Sequence, residues 1–220
     1  MKLTSILLLL LLFAIICISC KKEAIVDKTK TLPFYNSEAF TPEWIAESTA
    51  AYSEIHTIAP FEFTNQNGQK ITNQNFKGKI YIADFFFTTC PSICPVLAKN
   101  MGVLQEIYKE DTNILLLSHS VMPWVDSVGK IKEYALEQKA IDGKWHLVTG
   151  KREVIYKIAR GSYFADEDFK KTKDESEFIH TENFVLVDKK GRIRGVYNGT
   201  LALDVRRLKR HIEILKLEKS

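Results

Sequence analysis

Lys79-Ile-Tyr-Ile-Ala-Asp-Phe-Phe-Phe87, followed at once by Thr88-Thr-Cys90-Pro-Ser-Ile-Cys94-Pro95, is the stretch that decides the fold. Its first part is a nearly unbroken apolar, β-branched and aromatic run, as expected of a central strand covered on both faces. Its second part leads into Val96, Leu97, Val103, Leu104 and Ile107, which recur at helical spacing and predict a helix to about Lys109. Ile114-Leu-Leu-Leu117 is then a second buried strand, so the whole is a βαβ unit. Two thiols therefore sit at a strand-to-helix junction, where α/β proteins place their chemistry.

Downstream, the pattern predicts a helix across Ser127 to Lys139, a strand at Trp145 to Val148 and a helix from Arg152 to Arg160. Residues 165 to 177 are dominated by Asp, Glu and Lys and read as an exposed insertion. Phe184 to Val187, the turn Asp188-Lys-Lys-Gly191 and Ile193 to Tyr197 form a hairpin, and Leu203, Leu208, Ile212 and Leu215 mark a closing amphipathic helix. Upstream, Phe61-Glu-Phe63 and Ile71-Thr-Asn73 flank Asn67-Gly68, a strong hairpin signal. This order matches an α/β, thioredoxin-like architecture: a central mixed sheet flanked by helices, with an extra N-terminal β-hairpin and a charged insertion before a second hairpin.

The chain opens on Lys2, an apolar run from Ile6 to Ile18, and Ser19-Cys20-Lys21-Lys22. A helix of about 13 apolar residues is short for roughly 30 Å of hydrocarbon, so residues 1–20 read as a secretion signal rather than a spanning anchor. The stretch resembles a bacterial lipoprotein signal, with a small residue, Ser19, before a lipidated Cys20; Ile16-Cys17 does not fit that pattern. Residues 21–50, interrupted by Pro33 and Pro42, read as a flexible tether. Residues 51–220 are then the domain, with its folded part starting near Ile58. Its expected location is extracytoplasmic, on the periplasmic side of a bacterial membrane. Lys2 is the only charge of the signal, so its removal takes the net charge from +4 to +3, too mild to argue for nucleic acid.

With Cys17 and Cys20 in the signal, the domain holds one cysteine pair, in a compartment where disulfides persist. A loop four residues long is too short to staple a fold effectively, and a chain with 45% hydrophobic residues can bury a core without help. The pair is therefore read as kept for reactivity, against the plainer alternative of an inert disulfide. Residues four apart on a helix have Cα atoms about 6 Å apart, so the same pair can bridge or chelate. Pro95 disfavours helical geometry at Cys94, which makes Cys90 to Cys94 a tight turn into the helix. Backbone N–H groups at that helix start favour thiolate. His180, opening the strand-like run His180-Thr-Glu-Asn-Phe-Val-Leu-Val-Asp188, adds an imidazole. Alone it would more often be structural; with two thiolates it completes a ligand set suited to Cu(I), with Cu(II) as a second state.

At these residues the sequence resembles the Sco family, also called SenC, over roughly Phe61 to Leu215. The resemblance is carried by Gly78-Lys79, Phe86-Phe-Thr-Thr-Cys90-Pro-Ser-Ile-Cys94-Pro95, Ser120-Val121, and His180 before Phe184-Val-Leu-Val-Asp188. It implies a thioredoxin-like metallochaperone that binds copper through Cys90, Cys94 and His180 and matures the copper centre of cytochrome c oxidase. Its implied partners are the copper-bearing oxidase subunit, other copper chaperones or thiol reductases, and the membrane through the N-terminal lipid. The alternative from another class is a thiol–disulfide oxidoreductase, in which Cys90 and Cys94 are the redox-active pair. Where many thioredoxin-like reductases carry a cis-proline facing the cysteines, this chain has Ile179.

One position departs from the family's pattern. After Ser-Val the family commonly has Asp-Pro and, four residues beyond that Asp, a second Asp. Here Met122 takes the first acidic place and Asp126 the second. A thioether from Met122 is a further copper donor to weigh against simple packing. His119 ends a buried strand near the cysteines, His56, His146 and His211 fall elsewhere, and Trp124 lies in a loop beside the site edge, where it could contact a partner.

Overall fold

The computed structural model describes residues 27, 30–166, 171, 179 and 181–218. Its central strand, β3, spans Ile80–Phe86 and is buried along its whole length. Helix α2 (Cys94–Tyr108) follows, then β4 (Ile114–Ser120), α3 (Val128–Glu137), β5 (Trp145–Thr149) and α4 (Arg152–Gly161). Before them come β1 (Glu62–Asn65), β2 (Lys70–Thr72) and the short helix α1 (Asn73–Phe76); after them β6 (Asn183–Val187), β7 (Ile193–Asn198) and α5 (Ala202–Leu217). The sheet order is β2-β1-β5-β4-β3-β6-β7. β3, β4 and β5 run parallel, while β6 lies antiparallel to β3, which makes the mixed, thioredoxin-like sheet that the element order implies.

Period-two alternation assigns the two faces of the sheet. Ile80, Ile82, Phe86, Ile114 and Leu116 pack under α2, α3 and α5; Tyr81, Ala83, Phe85, Leu115 and Leu117 pack with α4 and the aromatic residues of the N-terminal hairpin. Asn67-Gly68 turns that hairpin as expected. Gly68 takes φ +73°, its N–H donates to Asn65 O, and the Asn65 side-chain oxygen accepts from Asn67 N–H and Gln69 N–H.

Four details differ from the sequence reading. Val96, Val103 and Ile107 lie exposed on α2, and the buried stripe is instead Leu97, Ala98, Met101, Leu104 and Tyr108. Asn73 does not extend β2: Thr72 caps α1 by accepting from Gln74 N–H, which ends the strand one residue early. Ala165 and Asp166, placed in an exposed insertion, are buried, with Asp166 paired to Arg160 at 2.8 Å. The rest of that stretch, apart from Lys171, lies outside the described residues.

The fourth difference concerns the stretch read as a tether. Leu32 and Phe34 are buried, and Phe34 exchanges backbone hydrogen bonds with Glu43. The guanidinium of Arg194, itself buried, donates to Leu32 O at 2.6 Å and Pro33 O at 3.1 Å and pairs with Asp188 and Glu218. Burying that charge is tolerable because it meets two carboxylates and two carbonyls, and the first strand-like stretch of chain supplies half of those partners. Residues from about 31 onward are thus packed on the domain. Those of 1–26 lie outside the described residues, as do the signal and Cys20.

Candidate metal centre

The parallel strands β3, β4 and β5 all end at one edge of the sheet, and the loops carrying Cys90, Trp124 and Arg152 leave from there side by side. Cys90 is half-buried, Cys94 is buried, and neither is bridged. Helix α2 starts at Cys94 with Pro95 in its first turn and Ile93 as its N-terminal flank, and no side chain caps it. The N–H groups of Ser92, Ile93 and Cys94 turn instead toward the Cys90 sulfur, which also accepts the Cys94 S–H. An uncapped helix start thereby becomes a thiolate cradle.

Electrostatics separate the two thiols. Burial pushes the Cys90 thiol up, but the hydrogen bonds from Cys94, Ser92 and Ile93 outweigh it and leave Cys90 below the ordinary thiol value. Burial pushes the Cys94 thiol up to about 12, reinforced by its donation to Cys90, while the Phe87 backbone N–H opposes that rise. Cys90 is thus the more acidic sulfur of the pair, and Cys94 holds its proton more firmly because of its burial and its donation to Cys90.

A buried acid fixes the cysteine loop. Asp126 accepts from the Thr88 hydroxyl at 2.6 Å and from Thr88 N–H at 3.3 Å, and it also accepts from the Ser120 hydroxyl. Val121 N–H donates to Phe86 O, which sews the β4 exit to the β3 exit. The Ser120-Val121 pair and Asp126 therefore hold the loop two residues before Cys90. Met122 is half-buried, and its N–H donates to the Ser120 hydroxyl oxygen.

Beneath the cysteines lies Asp84, a residue the sequence reading passed over as part of the strand. It is fully buried beside Ser118 of β4, which takes the Trp145 indole N–H at 2.8 Å; its Oδ1 has no hydrogen-bond partner. Burial pushes its carboxyl up to about 7, and its charge adds to the rise at Cys94. No sequence signal marks it beyond a lone acid inside an apolar strand, which a buried strand does not carry without cause. On the other face, His119 sits against Phe61, Phe63, Phe85 and Tyr163. Its Nδ1–H donates to Asp84 O at 3.4 Å, its Nε2 is bare, and burial pushes it down to about 4.

The other histidines have local partners: His56 Nε2 donates to Ser162 O at 2.8 Å, His146 accepts from Asn65, and His211 shares a 2.7 Å hydrogen bond with the Tyr197 hydroxyl. His180 lies outside the described residues. Its chain neighbours Ile179 and Thr181 are buried. β6 opposes β3 with Val185 beside Ala83 and Val187 beside Tyr81, so the chain preceding Asn183 leaves β6 at the cysteine end of β3. Among the described residues no three His, Cys, Asp or Glu side chains cluster as a metal site. The donor set of Cys90 and Cys94, one already favoured as thiolate, fits a soft cation.

The family model for SCO1/SenC matches residues 49–214. Among solved structures, a SCO1/SenC family lipoprotein from Bacillus anthracis is 28% identical, with a TM-score of 0.63 over 73% of this chain and 95% of that one. BsSco, described as a member of the Sco family of cytochrome c oxidase assembly proteins with a disulfide switch, is 27% identical, with a TM-score of 0.61 over 74% and 96%. Bradyrhizobium japonicum ScoI with copper bound is 26% identical, with a TM-score of 0.54 over 70% and 99%. The match of the family model over three quarters of the sequence places this chain in the SCO1/SenC family.

Proposed function

We propose that this protein takes up copper through Cys90, Cys94 and His180 on the outer side of a bacterial membrane, held there by lipid on Cys20, and passes it to the copper-bearing subunit of cytochrome c oxidase. The observation that carries the reading is the pair of unbridged thiols at the start of α2, one of which, Cys90, is held below the ordinary thiol value by hydrogen bonds from Cys94, Ser92 and Ile93. The copper-bound relative and the relative named for oxidase assembly support it. Copper is the cargo: Cu(I) replaces the Cys94 proton between the sulfurs, and delivery proceeds as the recipient's ligands displace Cys90, Cys94 and His180 one at a time. Ligand exchange of this kind needs a site open on one side, and half-buried Cys90 supplies that opening.

The difference between the two thiols also favours a second reading, thiol–disulfide exchange. There the Cys90 thiolate attacks a target disulfide, forming a mixed disulfide and releasing one target thiolate. Cys94, giving up its proton, then attacks the Cys90 sulfur and releases the second, so the target is reduced and the pair oxidised. Copper titration of the reduced mature chain separates the two. The expected result is one Cu(I) per chain, with affinity falling at least about tenfold in Cys90→Ala, Cys94→Ala and His180→Ala. No stoichiometric copper, together with ready cycling of a Cys90–Cys94 disulfide, overturns delivery in favour of reduction.

A further inference from the structure

The loop after β4 presents apolar surface at the cysteine edge. Trp124 is 57% exposed and Val125 39%. The loop is not free to swing away, because Met122 O accepts from Val125 N–H and Asp126 N–H, both at 2.8 Å, and the Asp126 carboxylate holds Thr88, two residues before Cys90. The neighbouring loop, from β5, brings Arg152 to the same edge as the first residue of α4. Its guanidinium carbon lies 4.3 Å from the centroid of the Tyr156 ring and 5.9 Å from that of Trp124, and the Tyr156 hydroxyl is fixed by donating to Val121 O.

Arg152 has no carboxylate within ion-pair distance and no acceptor for its N–H groups among the described residues. A guanidinium over the Tyr156 ring, with no acceptor for its N–H groups among the described residues, keeps its fork of donors for a carboxylate, which a guanidinium recognises in two-pronged fashion. The acid of its own neighbouring loop, Asp126, is committed to Thr88 and Ser120, and position 122 is Met, so no carboxylate of the 121–126 loop competes for it. An exposed Trp beside an Arg that has no ion-pair partner among the described residues is the composition of a binding hot spot.

We infer that Trp124 and Arg152 form the surface on which the copper-receiving protein docks an acidic segment, its carboxylate on Arg152 and an apolar side chain against Trp124. The inference rests on the delivery reading, which requires the recipient's ligands to reach the Cys90 sulfur and hence to cover the surface next to the Thr88–Cys90 loop. The net charge of +3 that remains once residues 1–20 are removed adds a general, mild attraction for such a segment.

The test uses the purified copper-bearing domain of the oxidase subunit as probe, titrated calorimetrically into the reduced, metal-free protein. Arg152→Glu and Trp124→Ala are each expected to weaken association at least about tenfold, with melting temperature and copper stoichiometry unchanged. Arg152→Gln is expected to flatten the salt dependence of binding. Wild-type affinity in both Arg152→Glu and Trp124→Ala, or no association by the wild type, overturns the docking surface. Copper transfer to the same domain is followed separately. A wild type that associates through this surface yet hands over no copper refutes delivery and leaves the docking surface standing.

Discussion

The two ends of β3 treat polar groups in opposite ways. Where the strand begins, Arg194 is buried yet satisfied by Asp188, Glu218, Leu32 O and Pro33 O, with Phe34 4.2 Å below its guanidinium. Lys144 nearby donates at 2.6 Å to both Asp111 O and Ile114 O. Arg192, whose Nε and Nη1 are bare, is the partial exception, and its guanidinium lies 4.1 Å over the Tyr52 ring. Where the strand ends, two thiols stay unbridged, Asp84 Oδ1 has no partner and His119 Nε2 has none. Each bare buried polar atom costs about 1–3 kcal/mol. A fold that saturates one end and leaves the other open keeps its stability at the first and its reactivity at the second.

The contrast breaks most visibly at Arg194. Replacing it with Met strands Asp188 and Glu218 in a buried setting, and the expected loss is about 3–5 kcal/mol in a denaturant titration. The alkylation rate of Cys90 in the folded protein should not move. A loss below about 1 kcal/mol would mean that the closed end is not where stability resides.

A middle-sized effect sharpens the account of the open end through pH. Asp84 ionises from its ordinary value near 3.8 upward in the unfolded chain but holds its proton to about 7 when folded, so its contribution to stability falls as pH rises across that window. His119 takes up its proton below 6.5 when unfolded but only near 4 when folded, so its contribution falls as pH drops through that window and rises as pH climbs. Between about pH 4 and 6.5 the two slopes oppose each other, and wild-type stability is expected to be nearly flat from this pair. Asp84→Asn removes one slope; its stability should then climb with pH by roughly 1 kcal/mol per unit. Parallel curves for wild type and variant would contradict the assignment.

The smallest effect is kinetic. At pH 7 iodoacetamide should modify Cys90 at least about tenfold faster than Cys94, as read by peptide mass spectrometry. Cys94→Ala should slow Cys90, since it removes an S–H donor to the thiolate. Equal rates at the two sulfurs, or an unchanged Cys90 in the variant, would erase the difference between them.

Every strand and each of the four longer helices was legible in the sequence, because apolar periodicity is local and β3, β4 and the hairpins carry it cleanly. What was not legible depends on distant partners. Leu32 and Phe34 look like tether until Arg194, some 160 positions later, claims the carbonyls of Leu32 and Pro33. Val96, Val103 and Ile107 satisfy helical spacing as well as Leu97, Met101 and Leu104 do; only the placement of α2 against the sheet decides which stripe is buried. In the site, Cys90 and Cys94 announce themselves by spacing and by Pro95. Asp84 and Asp126 do not, since nothing local tells that one acid lies beneath a thiol with an unpartnered oxygen while the other pins Thr88.

The clamp on Arg194 also sets a direction. It gathers Leu32 near the chain's beginning and Glu218 near its end at one pole, while Cys90 occupies the other, about 20 Å away along a seven-residue strand. Eleven residues lie between Cys20 and Leu32, and the twelve Cα–Cα steps from one to the other reach at most about 40 Å. On the proposed lipid anchor at Cys20, the mooring would join the domain at its sealed pole, with the sulfurs at the opposite pole and at most about 60 Å from the lipid. On the delivery reading proposed above, a recipient would meet the sulfurs from the side away from that mooring.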